Sequence, residues 1–219
     1  MRFELVHARL AALPGELPPA PAILTPIRVD SPEELFPGGS GDAMASRRAA
    51  VLILLFPDEH GEARVLLTAR ATHLPDHAGE ISFPGGSVEA GDADATATAL
   101  REACEEVGLD PDACGLRVVG ELDPVAVFVS GFHITPILAT AERRPDCRPD
   151  PAEVARLLDA PVEAFLPGAP IEVEDRAIGE RAIRYGFYPV EGVRIWGATA
   201  RMLGQLGALL GPPDSRRPG

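Results

Sequence analysis

No part of the chain is more restrictive than the segment Arg101-Glu102-Ala103-Cys104-Glu105-Glu106-Val107-Gly108-Leu109. On a helix, Glu106 lies four residues from Glu102 and Glu105 lies three, so three carboxylates project within one turn. Like charges at that spacing cost a helix roughly 0.2–0.5 kcal/mol per pair, and Arg101, four residues before Glu105, offsets only part of this. The other flank, Ala97, Leu100, Ala103 and Val107, is apolar, so the helix is expected to pack on a core. Asp92 or Asp94 can cap its start, and Gly108 suits a left-handed stop. Such a turn is either a solvated acidic face or a ligand set for a hard divalent cation, Mg²⁺ or Mn²⁺. Phe83-Pro84-Gly85-Gly86 stands upstream, and glycines there let backbone approach a ligand closely. A carbonyl from that turn can complete a shell that the carboxylates begin.

The rest of the chain reads as α+β. The N-terminus is expected to form a short amphipathic helix (Phe3, Leu5, Leu10), followed by a proline-rich extended connector from Pro14 to Pro26. Ser31–Ser46 is a second irregular stretch. Ala49–Phe56 and Arg64–Thr68 are apolar runs of strand length around a Gly-containing turn, the pattern of a hairpin. Residues 69–91 read as loop. Leu116–Leu122, Val125–Phe128, Ile134–Leu138 and Arg181–Tyr188 read as strands, and Glu153–Leu158 and Thr199–Leu210 as helices. The expected division is an N-terminal helix and connector over 1–46 packing on the body, a main domain over 47–211, and a disordered tail over 212–219.

Charge and cysteine usage narrow the function. The chain carries 33 acidic against 20 basic residues, a net charge of −13, and every basic residue is Arg. That balance argues against a nucleic-acid partner, which needs a basic footprint. The 46% hydrophobic share is enough for a real core. Cys104, Cys114 and Cys147 fit neither CxxC spacing nor an even disulfide framework. With no apolar run of 18 residues and no signal-like N-terminus, the expectation is a cytoplasmic protein with no membrane partner.

Gly86, Asp92, Arg101-Glu102, Glu105-Glu106 and Gly108-Leu109 together resemble the Nudix box, a Gly, five residues, a Glu, seven residues, then REUxEExGU with U aliphatic. Five specified residues at frequencies of roughly 6% recur by chance about once per million start sites. Two positions depart: Asp92 stands for the Glu, and eight residues separate it from Arg101. Upstream, Leu66-Leu67-Thr68-Ala69-Arg70-Ala71, Gly79 and Phe83-Pro84-Gly85-Gly86 resemble the LLTxR[SA]x3Rx3Gx3FPGG motif of coenzyme A pyrophosphatases within that family. Pro75 stands where the second Arg belongs, with His73 and His77 nearby. The resemblance covers roughly residues 47–205.

The resemblance implies a Nudix-type α/β/α sandwich with a mixed β-sheet. It implies metal-dependent cleavage of coenzyme A and its derivatives to 3′,5′-ADP and 4′-phosphopantetheine. Glu102, Glu105 and Glu106 with the carbonyl of Gly85 would hold Mg²⁺ or Mn²⁺, Arg101 would orient the carboxylates, and Asp92 would support the loop. Arg70, Gly86 and Phe83 would face the substrate. For Arg70 a strand-end salt bridge is the competing reading; Glu153 is either a water-activating base or a helix-starting residue after Pro151. Trp196 and Phe132 could stack on adenine or belong to the core. Pro75 keeps other substrates in view: NADH, ADP-ribose or a dinucleoside polyphosphate. A non-catalytic nucleotide-binding module is the reading from another class, and the three intact glutamates argue against it. The expected partner is a small molecule, with a homodimer left open.

Overall fold

A computed structural model of the protein describes residues 1–29, 47–73, 79–127, 131–178 and 181–212. The expectations for Ser31–Ser46, Pro75, His77, Phe128 and the tail beyond residue 212 lie outside the described residues.

In chain order the elements are α1 (Phe3–Leu10), a 3₁₀ turn (Ala22–Leu24), β1 (Ile27–Arg28), β2 (Arg47–Pro57), β3 (Ala63–Arg70), β4 (Ile81–Ser82), β5 (Gly85–Ser87) and α2 (Ala95–Val107). There follow α3 (Pro111–Cys114), β6 (Arg117–Glu121), β7 (Val125–Val127), β8 (Phe132–Thr140), β9 (Val154–Pro161), a second 3₁₀ turn (Val162–Phe165), β10 (Glu172–Ile178), β11 (Arg181–Val190), β12 (Val193–Trp196) and α4 (Gly197–Leu210). Eight strands form one sheet in the order β4-β3-β2-β8-β6, with β5 also on β2, β7 on β8 and β9 on β3. It is mixed, because β2 and β8 run parallel while the other pairings are antiparallel.

The apolar run of β2 is continuous because both of its faces are buried. Ala50, Leu52, Leu54 and Phe56 meet Ala99, Ala103 and Val107 of α2 on one side. Ile53 and Leu55 meet Leu203, Leu206 and Leu210 of α4 on the other, where Val6 and Leu10 of α1 join them. The result is a helix/sheet/helix sandwich, the α+β architecture anticipated. A smaller antiparallel sheet, β1-β11-β10 with β12 on β11, adds Tyr188, Val190 and Ile195 to the α4 side.

The hairpin forms as expected, but β2 and β3 pair over only three residue pairs, Leu55–Val65 to Pro57–Ala63. They then part, and the segment carrying β4 and β5 fills the gap: β4 pairs with β3 at Thr68 and Ala69, and β5 with β2 at Ala49–Val51. Residues 69–91 are therefore not simply loop; Gly85 and Gly86 are strand residues.

Three further expectations are corrected. Glu153–Leu158 is not helical: β9 begins at Val154 and pairs with β3 from Arg64 to Arg70, so strand pairing overrides the local helix preference. Leu5 is exposed, and α1 turns Val6 and Leu10 inward instead. On α2, Ala103 and Val107 are buried as expected and Leu100 packs half-buried against the same cluster, while Thr98, Ala99 and Glu106, not Ala97, complete the buried set.

Candidate active site

Both ends of α2 are fixed by its sequence. Asp94 accepts from the Ala97 N–H at 2.8 Å, and Gly108 ends the helix at φ 62°. Between them the three carboxylates descend from solvent toward the core. Glu105 is exposed, Glu102 is half-buried, and Glu106 is only 6% exposed.

Each carboxylate has a definite partner. Glu106 Oε2 accepts from the backbone N–H of Gly85 at 3.0 Å. Arg101 Nη1 donates to Glu102 Oε1 and to Glu105 Oε2, both at 3.0 Å. The rest of that guanidinium faces Asp92: Nε donates to Oδ1 and Nη2 to Oδ2, each at 3.0 Å, and Nη2 also reaches the Ser87 carbonyl at 3.1 Å. Arg101 thus joins the loop acid to the helix acids. The guanidinium, followed by the Glu89 N–H, holds the Asp92 carboxyl well below the usual carboxylate range.

Burial acts in the opposite direction on the other two. It pushes Glu102 up, and it pushes Glu106 up to about 7; the Gly85 N–H opposes that rise, the charges of Glu153 and Glu102 add to it, and Arg70 opposes it. Arg70 and Glu153 come together where β3 meets β9, since Arg70 pairs with Val154, and both charges act on Glu106. Glu153 arrives at the start of β9, where its carbonyl accepts from the Ala71 N–H at 2.8 Å. It is exposed, and its helix-starting role falls with the helix itself. Arg70 sits where the β3–β9 register slips between Ala69 and Arg70, a bulge that re-aims a side chain. Its Nε is buried with no hydrogen-bond partner among the described residues.

The two glycines have different steric reasons. A Cβ on Gly85 would lie 2.4 Å from the Ala50 carbonyl oxygen and 2.6 Å from the Val51 Cα, so β5 could not approach β2 with a side chain there. A Cβ on Gly86 would lie 2.5 Å from the Glu102 carboxyl, so that glycine keeps space for the carboxylate.

Not every expected residue joins the group. Phe83 is buried in the apolar cluster on the α4 side and contributes its ring to the core. Trp196 packs on Tyr185 with ring centroids 5.0 Å apart, and Phe132 lies beneath the Arg47 guanidinium at 4.1 Å. Thr98 is the residue that spacing did not reveal: fully buried, its hydroxyl donates to Asp92 Oδ2 at 2.8 Å. A Thr in a run of Ala and Thr carries no signal for that contact.

Among the described residues, no three His, Cys, Asp or Glu side chains converge as a ready ion site, since Arg101 and Gly85 hold the carboxylates. The donor chemistry still fits a hard cation. All candidate donors are oxygens, and Glu106 is a desolvated carboxylate that a nearby cation would favour.

A family model described as the NUDIX domain matches residues 46–172. Nudix hydrolase 15, mitochondrial, of Arabidopsis thaliana is 39% identical over 170 residues, 74% of this chain and 58% of that protein. Nudix hydrolase 22, chloroplastic, of the same plant is 41% identical over 165 residues, 72% of this chain and 53% of that protein. The chain thus spans little more than half the length of these two relatives. The uncharacterized Nudix hydrolase NudL of Salmonella typhimurium is 36% identical over 180 residues, 81% of this chain and 90% of the relative. Among solved structures, a Nudix hydrolase from M. smegmatis, RenU, shares 27% identity over 53% of this chain and 71% of its own, with a TM-score of 0.44.

Proposed function

Since the chain belongs to the Nudix family, we propose that it hydrolyses the pyrophosphate of coenzyme A and its derivatives to 3′,5′-ADP and 4′-phosphopantetheine. In this reaction water adds to one phosphorus, and the bridging oxygen leaves with the other phosphate. Glu102, Glu105 and Glu106 with the Gly85 carbonyl would hold Mg²⁺ or Mn²⁺, which would supply neutralisation of phosphate charge and a more acidic bound water. Arg101 sets the direction of Glu102 and Glu105, Asp92 anchors Arg101, and Gly86 leaves room for the Glu102 carboxyl. Glu153 draws a proton from the attacking water in this reading. Residues 47–211 form the hydrolase domain, and Val6, Leu10 and Leu24 of the N-terminal segment pack on its α4 side.

The observation that carries the reading is Arg70. Its buried Nε, with no partner among the described residues, is costly unless something fills the gap. A phosphate oxygen beside Glu106 fills it, and Arg binds phosphate through two nitrogens at once. Pro75, in place of a second basic residue, favours one competing substrate set: NADH, ADP-ribose or a dinucleoside polyphosphate.

The test is incubation with Mg²⁺ or Mn²⁺ and a panel of coenzyme A, dephospho-coenzyme A, NADH, ADP-ribose and diadenosine tetraphosphate, with products separated by chromatography. Coenzyme A turning over fastest, with release of 3′,5′-ADP, supports the proposal. A different winner transfers the same chemistry to that nucleotide, and no cleavage with either ion leaves a nucleotide-binding module.

A further inference from the structure

We propose that Thr98 is a positioning residue for the carboxylate face, acting through Asp92 and Arg101. The Asp92 carboxylate receives four donors. Oδ1 takes Arg101 Nε at 3.0 Å; Oδ2 takes Arg101 Nη2 at 3.0 Å, the Glu89 N–H at 2.8 Å and the Thr98 hydroxyl at 2.8 Å. Three of these, from Glu89 and Arg101, come from the loop and from the half-exposed side of α2. Thr98 is the donor that comes from the buried side. It therefore fixes the carboxylate from beneath, and the planar guanidinium that pairs with it has one orientation left. In that orientation Nη1 falls between Glu102 and Glu105.

The position is otherwise one for an apolar residue. Thr98 neighbours Ala99 on the face that packs against β2, and a hydroxyl there needs a partner to offset its burial. Its Oγ1 has a second, longer contact to the Asp94 carbonyl at 3.3 Å, so the group would be satisfied by its own helix alone. A hydroxyl has one proton to give, and the shorter bond to the charged Asp92 takes it in place of that local one. It also suits the box of this chain, where an acid one methylene shorter than Glu sits nine residues before Arg101. A short side chain reaches less far, and a hydroxyl rising from the helix meets it.

This inference rests on the metal role given above to Glu102 and Glu105, so the experiment separates the two. Wild type, Thr98→Val and Thr98→Ser are compared by Mn²⁺ uptake from the free-ion EPR signal, by the NMR exchange rate of the Arg101 Nε–H, and by kcat and KM. Thr98→Val keeps the shape and removes the donor; Thr98→Ala replaces it if the Val variant does not fold. The expected result is faster Nε–H exchange, Mn²⁺ affinity weaker by about three- to tenfold and a similar fall in kcat with KM nearly unchanged, with Ser restoring most of each. Val matching wild type in exchange and affinity overturns the proposal, as does Ser failing as badly as Val. If wild type binds no Mn²⁺, the metal reading is what fails, and the Nε–H exchange alone decides the role of Thr98.

Discussion

Arg101 and Asp92, nine residues apart in sequence, meet through two parallel bonds of 3.0 Å, Nε to Oδ1 and Nη2 to Oδ2. This fork leaves Nη1 free for Glu102 and Glu105, so one side chain joins the loop to the helix face. Lysine has a single ammonium and cannot occupy both ends. Arg101→Lys is expected to retain the fold and lose about 10- to 100-fold in kcat. Steady-state kinetics beside a thermal melt check this; a melt that collapses with the rate would make Arg101 a stability residue.

Glu106 gives a pH prediction for the metal-free protein. Burial above all raises its folded pKa from the ordinary carboxylate value of 4.5 to about 7. The neutral form is favoured in the fold, so its contribution to stability is complete below about pH 4.5 and is lost as pH rises through 7. Asp92 is shifted the other way and loses its contribution as pH falls, but it is common to wild type and variant and cancels. In EDTA, Glu106→Gln is therefore expected to be more stable than wild type at pH 8, by at most about 3 kcal/mol, with the gap closing below pH 4.5. Urea titrations across that range measure it. The same variant is expected to lose activity by orders of magnitude with Mg²⁺ or Mn²⁺ present.

The paired glycines predict opposite failures. Gly85→Ala sets a methyl against the β2 backbone and is expected to destabilise by about 1–3 kcal/mol. Gly86→Ala meets only the mobile end of Glu102, so its melt stays near wild type while activity falls. Denaturation and kinetics on the two variants separate them; equal losses of stability would refute the distinction.

Arg70→Ala is expected to raise KM for coenzyme A by about tenfold, as loss of a charged phosphate contact does. An equal rise is expected for dephospho-coenzyme A, because the phosphate beside Glu106 belongs to the pyrophosphate that both substrates carry. A smaller rise for dephospho-coenzyme A would remove Arg70 from the pyrophosphate.

The sequence made α2 legible because everything that defines it is local: an Asp cap, a Gly stop, and acids three and four residues apart. The same holds for the hairpin and for the two buried faces of β2. What was illegible depends on distant pairing. Glu153–Leu158 is rich in helix formers and becomes a strand only because β3 lies alongside. Glu172–Ile178 has a charged, irregular pattern and is a strand through its register with β11. The Gly85–Glu106 bond joins residues 21 apart and has no spacing rule. The FPGG motif implies Phe83 as a substrate contact, yet its ring is apolar bulk turned to the core.

The parting of β2 and β3 after three residue pairs has a consequence for how the site is held. The strand leading to Arg70 and the strand carrying Gly85 are each sewn to a neighbour, through β9 and β2 respectively. The stretch between them therefore begins and ends at pinned stitches. The position of the glycines and of the acids beyond them is thus set by these pairings and not by the covalent link between the two strands.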